Sequence, residues 1–307
     1  MGKKAILFPG QGAQKVGMGR DLYDAAPAAR QVYERANAAC DLDVAGLCFA
    51  GPEGGLNDTA ACQVAVLVTS IAALEALRAR DPSAAEADLT AGLSLGEYTA
   101  LVYAGAIEFE DAVRLVRQRG IFMKEAGEIH PGGMVSVIGL GRDEVMEIIA
   151  ACRGRGVLVA ANFNSPAQTV LSGSKEAVEC AAAQAAERGA KRAVPLAVSG
   201  AFHSPLMEPA AERLRTELKA IKIRAPKVPL VSNVSAKYVT SGDEVRDLLA
   251  LQLTHPVLWV DSMQFMIAEG MTEAAEVGPG RVLAGLLART DRAVSVRNVR
   301  SVADLEQ

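Results

Sequence analysis

Leu89 to Gly105, LTAGLSLGEYTALVYAG, reads as a strand that turns sharply into a helix with a serine at the corner. Leu89, Thr90 and Ala91 close an extended apolar run, Gly92 and Gly96 flank Ser94, and Glu97 to Ala104 has helix-forming composition ended by Gly105. The two glycines have a steric task. A strained strand-to-helix corner presses neighbouring backbone onto the positions two before and two after the serine, where a Cβ would clash. Ser94 is therefore expected to project into a cleft at the start of a helix. The peptide N–H of Leu95 is then placed to favour the negative oxygen formed when a carbonyl is attacked.

Working outward, the next stretch of the same kind lies at the N-terminus. A first strand, Lys4 to Phe8, runs straight into PGQGAQKVGMG. Gly10 and Gly12 begin a glycine-rich pattern, but Lys15 stands where a dinucleotide-binding fingerprint needs its third glycine. Such a side-chain-poor loop can instead aim a backbone N–H at a ligand, and Gln11 is the candidate second oxyanion donor beside Leu95.

Between and beyond these turns the chain alternates helices and strands. Asp21 to Ala39, Gln63 to Arg80 and Glu110 to Glu125 read as helices, the second carrying an apolar stripe from Val64 to Leu77. Residues 128–199 then read β-α-β-β-α-β, a ferredoxin-like order, with a strand in MVSVIGL, another in Val157 to Phe163 and a third in Gln168 to Gly173. After this unit come helices at Pro209 to Ile221 and Glu244 to Leu253, a strand at Val228 to Val234, and a strand at Ala274 to Gly280 that leads into a final helix. The expected fold is α/β. A hydrolase-like core with a mostly parallel sheet, residues 1–127 and 200–307, carries an inserted ferredoxin-like small domain, residues 128–199.

Composition fits that plan. The 307 residues are 50% hydrophobic and 22% charged, with a formal net charge of −4, which argues for a large core and against a general nucleic-acid binder. Five cysteines without C-x-x-C spacing indicate neither a disulfide framework nor a zinc site and suit a reducing compartment. No signal-peptide apolar core precedes the first strand, and the apolar run Val64 to Leu77 is interrupted by Thr69, Ser70 and Glu75 and too short to span a bilayer. A cytoplasmic monomer without metal or resident cofactor is expected.

A serine hydroxyl needs a base, and only three histidines are available. His130 and His255 lie in turns. His203, in VSGAFHSPLM, stands where the chain re-enters the larger unit and is the candidate base. Of three arginines in RLVRQRG, Arg114 and Arg117 are expected to be solvated charges, leaving Arg119 as the exception.

FPGQGAQ, GLSLGEYTALVYAG, QRGIFM, NFNSP, GAFHSPLM and VGPG follow one another in the order and spacing of the malonyl-CoA:acyl carrier protein transacylases of bacterial fatty acid synthesis. The resemblance covers nearly the whole chain. It implies Ser94 as nucleophile, His203 as base, Gln11 and Leu95 as oxyanion donors, and Arg119 as the clamp for a substrate carboxylate. It also implies that a main-chain carbonyl, here that of Gln252 in ALQLTHP, orients the histidine in place of a triad carboxylate. Phe202 and Met123 are placed along the substrate pocket. A bulky Phe before the base accompanies malonyl selection in related polyketide acyltransferases, and its ring would crowd an α-methyl group.

The activity so implied moves a malonyl group from malonyl-CoA to the phosphopantetheine thiol of holo-acyl carrier protein through a malonyl-serine intermediate. A serine esterase or thioesterase, or an acyltransferase of a polyketide pathway, are the alternatives. Carrier proteins are acidic, and Arg289 is the candidate contact for one. The chain departs from the family pattern at Leu93, where the family usually has a histidine before the nucleophile.

Overall fold

The computed structural model describes residues 2–306. Strand β1 (Lys3–Phe8) leads into helices α1 (Arg20–Ala25), α2 (Pro27–Ala39), α3 (Val44–Ala50), α4 (Glu53–Asn57) and α5 (Thr59–Arg80). Where one helix was expected from Asp21 to Ala39 there are two. Ala26 is extended, and Pro27, which has no N–H to give, starts the second helix. Helix α5 is apolar all round and lies at the centre of the core, with Asp58 accepting from the N–H groups of Ala60 and Ala61 at its start. It is long and apolar enough to cross a membrane, yet 94% of its most apolar window is buried inside the fold.

Next come β2 (Leu89–Gly92), α6 (Leu95–Tyr103) and α7 (Phe109–Ile129), followed by β3 (Gly132–Ile138), α8 (Arg142–Ala151), β4 (Leu158–Ser165), β5 (Gln168–Ser174), α9 (Lys175–Glu187) and β6 (Arg192–Pro195). The chain continues through α10 (Glu208–Ala220), the two-residue strands β7 (Leu230–Val231) and β8 (Tyr238–Val239), α11 (Gly242–Gln252), α12 (Trp259–Ala268), β9 (Met271–Val277), α13 (Val282–Thr290) and β10 (Ser295–Val299). The strand expected at Val228 to Val234 shrinks to β7 because Ser232 accepts from the N–H of Ala236 and the chain turns at Asn233.

Two sheets result. The larger has the order β10-β9-β1-β2-β7-β8 and is parallel except for the β7–β8 hairpin. The smaller has the order β4-β5-β3-β6, antiparallel throughout, which is the ferredoxin-like arrangement. One face of the small sheet packs on α8 and α9 through Val135, Val137, Leu158, Leu171 and Ala181. The other turns Met134, Ala161 and Val170 toward the main core. A parallel bridge of Asn162 with Val257, with Phe163 N–H donating to Val257 O at 2.9 Å, ties the small sheet to the segment after α11.

One expectation from composition fails. Cys152, at the end of α8, and Cys180, in α9, form a disulfide, whereas Cys40, Cys48 and Cys62 are free. Spacing along the chain cannot show that two helices laid side by side on one sheet bring these residues together, with 6.0 Å between their Cα atoms.

Candidate active site

The glycines of the elbow act as their positions require. A Cβ on Gly92 would collide with the Gly96 carbonyl, and one on Gly96 with the Phe8 carbonyl of β1, so the corner closes only with glycine at both places. Ser94 is held at φ 51°, a left-handed conformation that a non-glycine residue adopts only when its surroundings enforce it. Asn233 supplies the enforcement. Its Oδ1 accepts from the Ser94 N–H at 2.6 Å while its Nδ2 donates to Gly92 O at 2.7 Å, bracing both sides of the corner.

His203 also has positive φ, 56°, where the chain returns from the small sheet. Its Nε2 lies 2.8 Å from Ser94 Oγ and its Nδ1 lies 2.7 Å from the main-chain oxygen of Gln252. A carbonyl can only accept, so Nδ1 carries the proton and Nε2 offers its lone pair to the serine hydroxyl. Burial and the nearby Arg119 charge push the His203 pKa down to about 4, so the ring is neutral and able to take a proton. Among the described residues no carboxylate touches the imidazole; the orienting acceptor is the peptide group of Gln252.

Arg119 is 1% exposed and reaches the same point from α7. Its Nη1 donates to Gln63 Oε1 at 2.6 Å, and its Nη2 donates to Gln252 Oε1 at 2.9 Å and to Ser94 Oγ at 3.1 Å. Its Cζ lies 5.3 Å from the centre of the Tyr98 ring. Each of these partners is neutral, and Nε is buried with no acceptor among the described residues. A fully buried cation with no contacting carboxylate among the described residues is a costly arrangement that an anionic ligand would relieve. The other two arginines of that segment differ: Arg114 is exposed and pairs with Asp111, while Arg117 forms a two-pronged bond to Asp41 at 2.9 and 3.1 Å and is only 17% exposed.

Ser94, Leu95, Gln11, Arg119, Met123, Phe202 and His203 line one cavity of ≈ 190 Å³ between the two sheets. It opens beyond the carboxyl ends of β1 and β2, the usual place for a ligand in a parallel sheet. Ser94 is the residue before the first turn of α6, so the Leu95 N–H has no intrahelical acceptor. The Gln11 N–H likewise makes no bond among the described residues. Leu93 also lines the cavity and packs against the core beneath the large sheet. Arg289 stands apart from the reacting groups, exposed on α13, with its Nη1 donating to Gln168 Oε1 at 2.9 Å; Gln168 is itself a cavity residue. His130 and His255 are exposed and outside the cavity.

Three participants escaped the sequence reading. Gln63 and Asn233 have partners 56 and 139 residues away, and no local pattern marks them. Glu97 had a signal: it is a carboxylate in the apolar first turn of α6 and is 3% exposed. Burial pushes its pKa up to about 7, offset in part by bonds from Gln252 and the Asn233 N–H.

Residues 6–306 match the acyl transferase domain family. A malonyl CoA-acyl carrier protein transacylase of Bacillus subtilis is 45% identical over 293 residues, 95% of this chain and 92% of that protein. The chain belongs to the malonyl CoA-acyl carrier protein transacylase family. Among solved transacylase structures, that from Coxiella burnetii superposes with a TM-score of 0.96 at 37% identity, covering 99% of this chain and 96% of that one. A malonyl-transacylase in complex with a type II PKS acyl-carrier protein gives a TM-score of 0.95 at 39% identity, over 99% of this chain and 98% of that transacylase.

Proposed function

We propose that the chain transfers a malonyl group from malonyl-CoA to the phosphopantetheine thiol of an acyl carrier protein, with Ser94 as nucleophile and His203 as its base. The observation that carries this reading is the buried Arg119 guanidinium, bonded to Ser94 Oγ and lacking a carboxylate partner, one hydrogen bond from the hydroxyl that reacts.

In the first half-reaction His203 Nε2 takes the Ser94 proton as Oγ attacks the thioester carbonyl carbon. The carbonyl electrons move to oxygen, which the N–H groups of Gln11 and Leu95 receive; a lost donor of this kind typically costs about 10²–10³ in rate. Collapse breaks the C–S bond, His203 returns the proton to the leaving thiolate, and a malonyl ester remains on Ser94. The carrier thiol then gives its proton to His203, attacks the ester and restores the hydroxyl. Arg119 binds the free carboxylate of the malonyl group with two parallel bonds, which acetyl lacks. Phe202 and Met123 bound the space beside the α-carbon.

On this reading every reacting group comes from one chain, so a monomer suffices and no resident cofactor enters; the setting proposed is cytoplasmic, as for a soluble bacterial transacylase. A serine esterase would have no use for a buried Arg119. The test is intact-mass analysis after mixing with malonyl-CoA. One malonyl adduct that maps to Ser94 and disappears on adding holo-carrier protein is expected; an adduct lost only to water would sink transfer in favour of hydrolysis.

A further inference from the structure

Arg119 is held by two glutamines, and an amide side chain can be turned either way round. At Gln252 the choice is decisive. In the observed orientation Oε1 accepts from Arg119 Nη2 at 2.9 Å, and Nε2 donates both to Ser94 O at 3.0 Å and to Glu97 Oε2 at 2.6 Å. Reversed, the amide would set its N–H groups against the guanidinium and its oxygen against a carboxylate and a carbonyl. Neither pairing forms hydrogen bonds. Above about pH 7, where its carboxyl is ionised, Glu97 is the one charged acceptor among the three contacts, and its other oxygen faces the Asn233 N–H at 3.4 Å.

We propose that Glu97 is a positioning residue for the malonyl carboxylate: by fixing the amide of Gln252 it keeps Arg119 aimed at the substrate beside Ser94. It does not touch the reacting atoms. The His203 ring hangs on the main-chain oxygen of Gln252, which the amide orientation leaves in place, so loss of Glu97 affects the clamp more than the base. The inference rests on reading Arg119 as the carboxylate clamp.

The test compares acyl-enzyme formation from malonyl-CoA and acetyl-CoA at about pH 8, where Glu97 is ionised, in folded variants with wild-type melting profiles. Losing one charge-assisted contact predicts that Glu97→Leu lowers the malonyl-to-acetyl ratio of kcat/KM by about tenfold, mostly through KM for malonyl-CoA. Glu97→Asp, which keeps the charge but is one methylene short of Gln252, lowers it similarly and carries the test if the leucine variant does not fold. Glu97→Gln, which still offers an oxygen to Nε2, stays within about twofold of wild type. In a Gln252→Ala background, adding Glu97→Leu changes the ratio no further.

Arg119→Ala separates the two readings. A ratio that collapses in Arg119→Ala but holds in both Glu97→Leu and Glu97→Asp overturns the role of Glu97 alone. Unchanged ratios in all three overturn the clamp itself. Equal losses with both acyl donors in the Glu97 variants reduce Glu97 to a structural residue and also end the proposal.

Discussion

At the scale of single residues, the site works by setting protonation and charge against their surroundings. His203 is neutral because it is buried beside a guanidinium, which pushes its pKa down to about 4. The acid limb of kcat/KM for acylation is therefore expected at about pH 4, well below the roughly 6.5 of a free imidazole. A limb near 6.5 would show that the ring is not held as the structure has it. Stability carries a matching signature. Unfolding returns His203 to about 6.5, so the unfolded chain binds more protons between those values and stability falls as pH drops through that window. Glu97 works in the opposite sense: its folded value of about 7 exceeds the ordinary 4.5, so its contribution is present in acid and lost as pH rises toward 7. The two offset each other, and Glu97→Gln is expected to lose stability more steeply than wild type between about pH 6.5 and 4.5. Urea midpoints across that range measure it, and parallel slopes for the two chains would refute it. Arg119→Lys retains the charge without the fork, so malonyl acylation should fall by about tenfold or more while acetyl acylation changes little.

At the scale of elements, the elbow is a steric device. Gly96→Ala drives a methyl group into the Phe8 carbonyl, which belongs to the central strand and cannot yield, so a loss of roughly 3 kcal/mol or more is expected. Gly54→Ala in α4 is the contrast, since nothing lies within 4 Å of the added methyl, and it should be neutral or stabilising by up to about 1 kcal/mol. Thermal melts of the two variants suffice, and equal effects would deny the elbow its tight packing. This feature was legible in the sequence because its cause is local: both glycines and the serine lie within five consecutive residues. Helix α5 was legible for the same kind of reason, its apolar residues recurring within a few positions of one another from Val64 to Leu77. The break at Pro27 was overlooked, although proline states it directly. The short β7 was misread because its length is set by the turn at Asn233, a residue committed to bracing Ser94.

At the scale of the whole molecule, function depends on two sheets meeting. Ser94 follows β2, Arg119 lies in α7, Gln252 ends α11, and His203 sits where the chain comes back from the small sheet. Gln168 of the small sheet lines the shared cavity and is bonded to Arg289 of α13, so the nominated partner contact spans the seam. Arg289→Glu is expected to raise KM for the acidic carrier protein several-fold while leaving malonylation of Ser94 by malonyl-CoA unchanged, since the residue is remote from the reacting groups. A burst of acyl-enzyme followed by transfer at varied carrier concentration reads the two steps separately, and an unaltered KM would remove Arg289 from the interface. The sequence alone determined the alternation of strands and helices and the elbow, because hydrophobic period and glycine spacing act over a few residues, and it singled out Ser94, His203 and Arg119, which the structure brings together. Only the tertiary structure decided that Gln63 meets Arg119, Asn233 meets Ser94, Glu97 meets Gln252 and Cys152 meets Cys180. Each of those contacts joins separate elements, and contacts between elements are set by how sheets and helices pack.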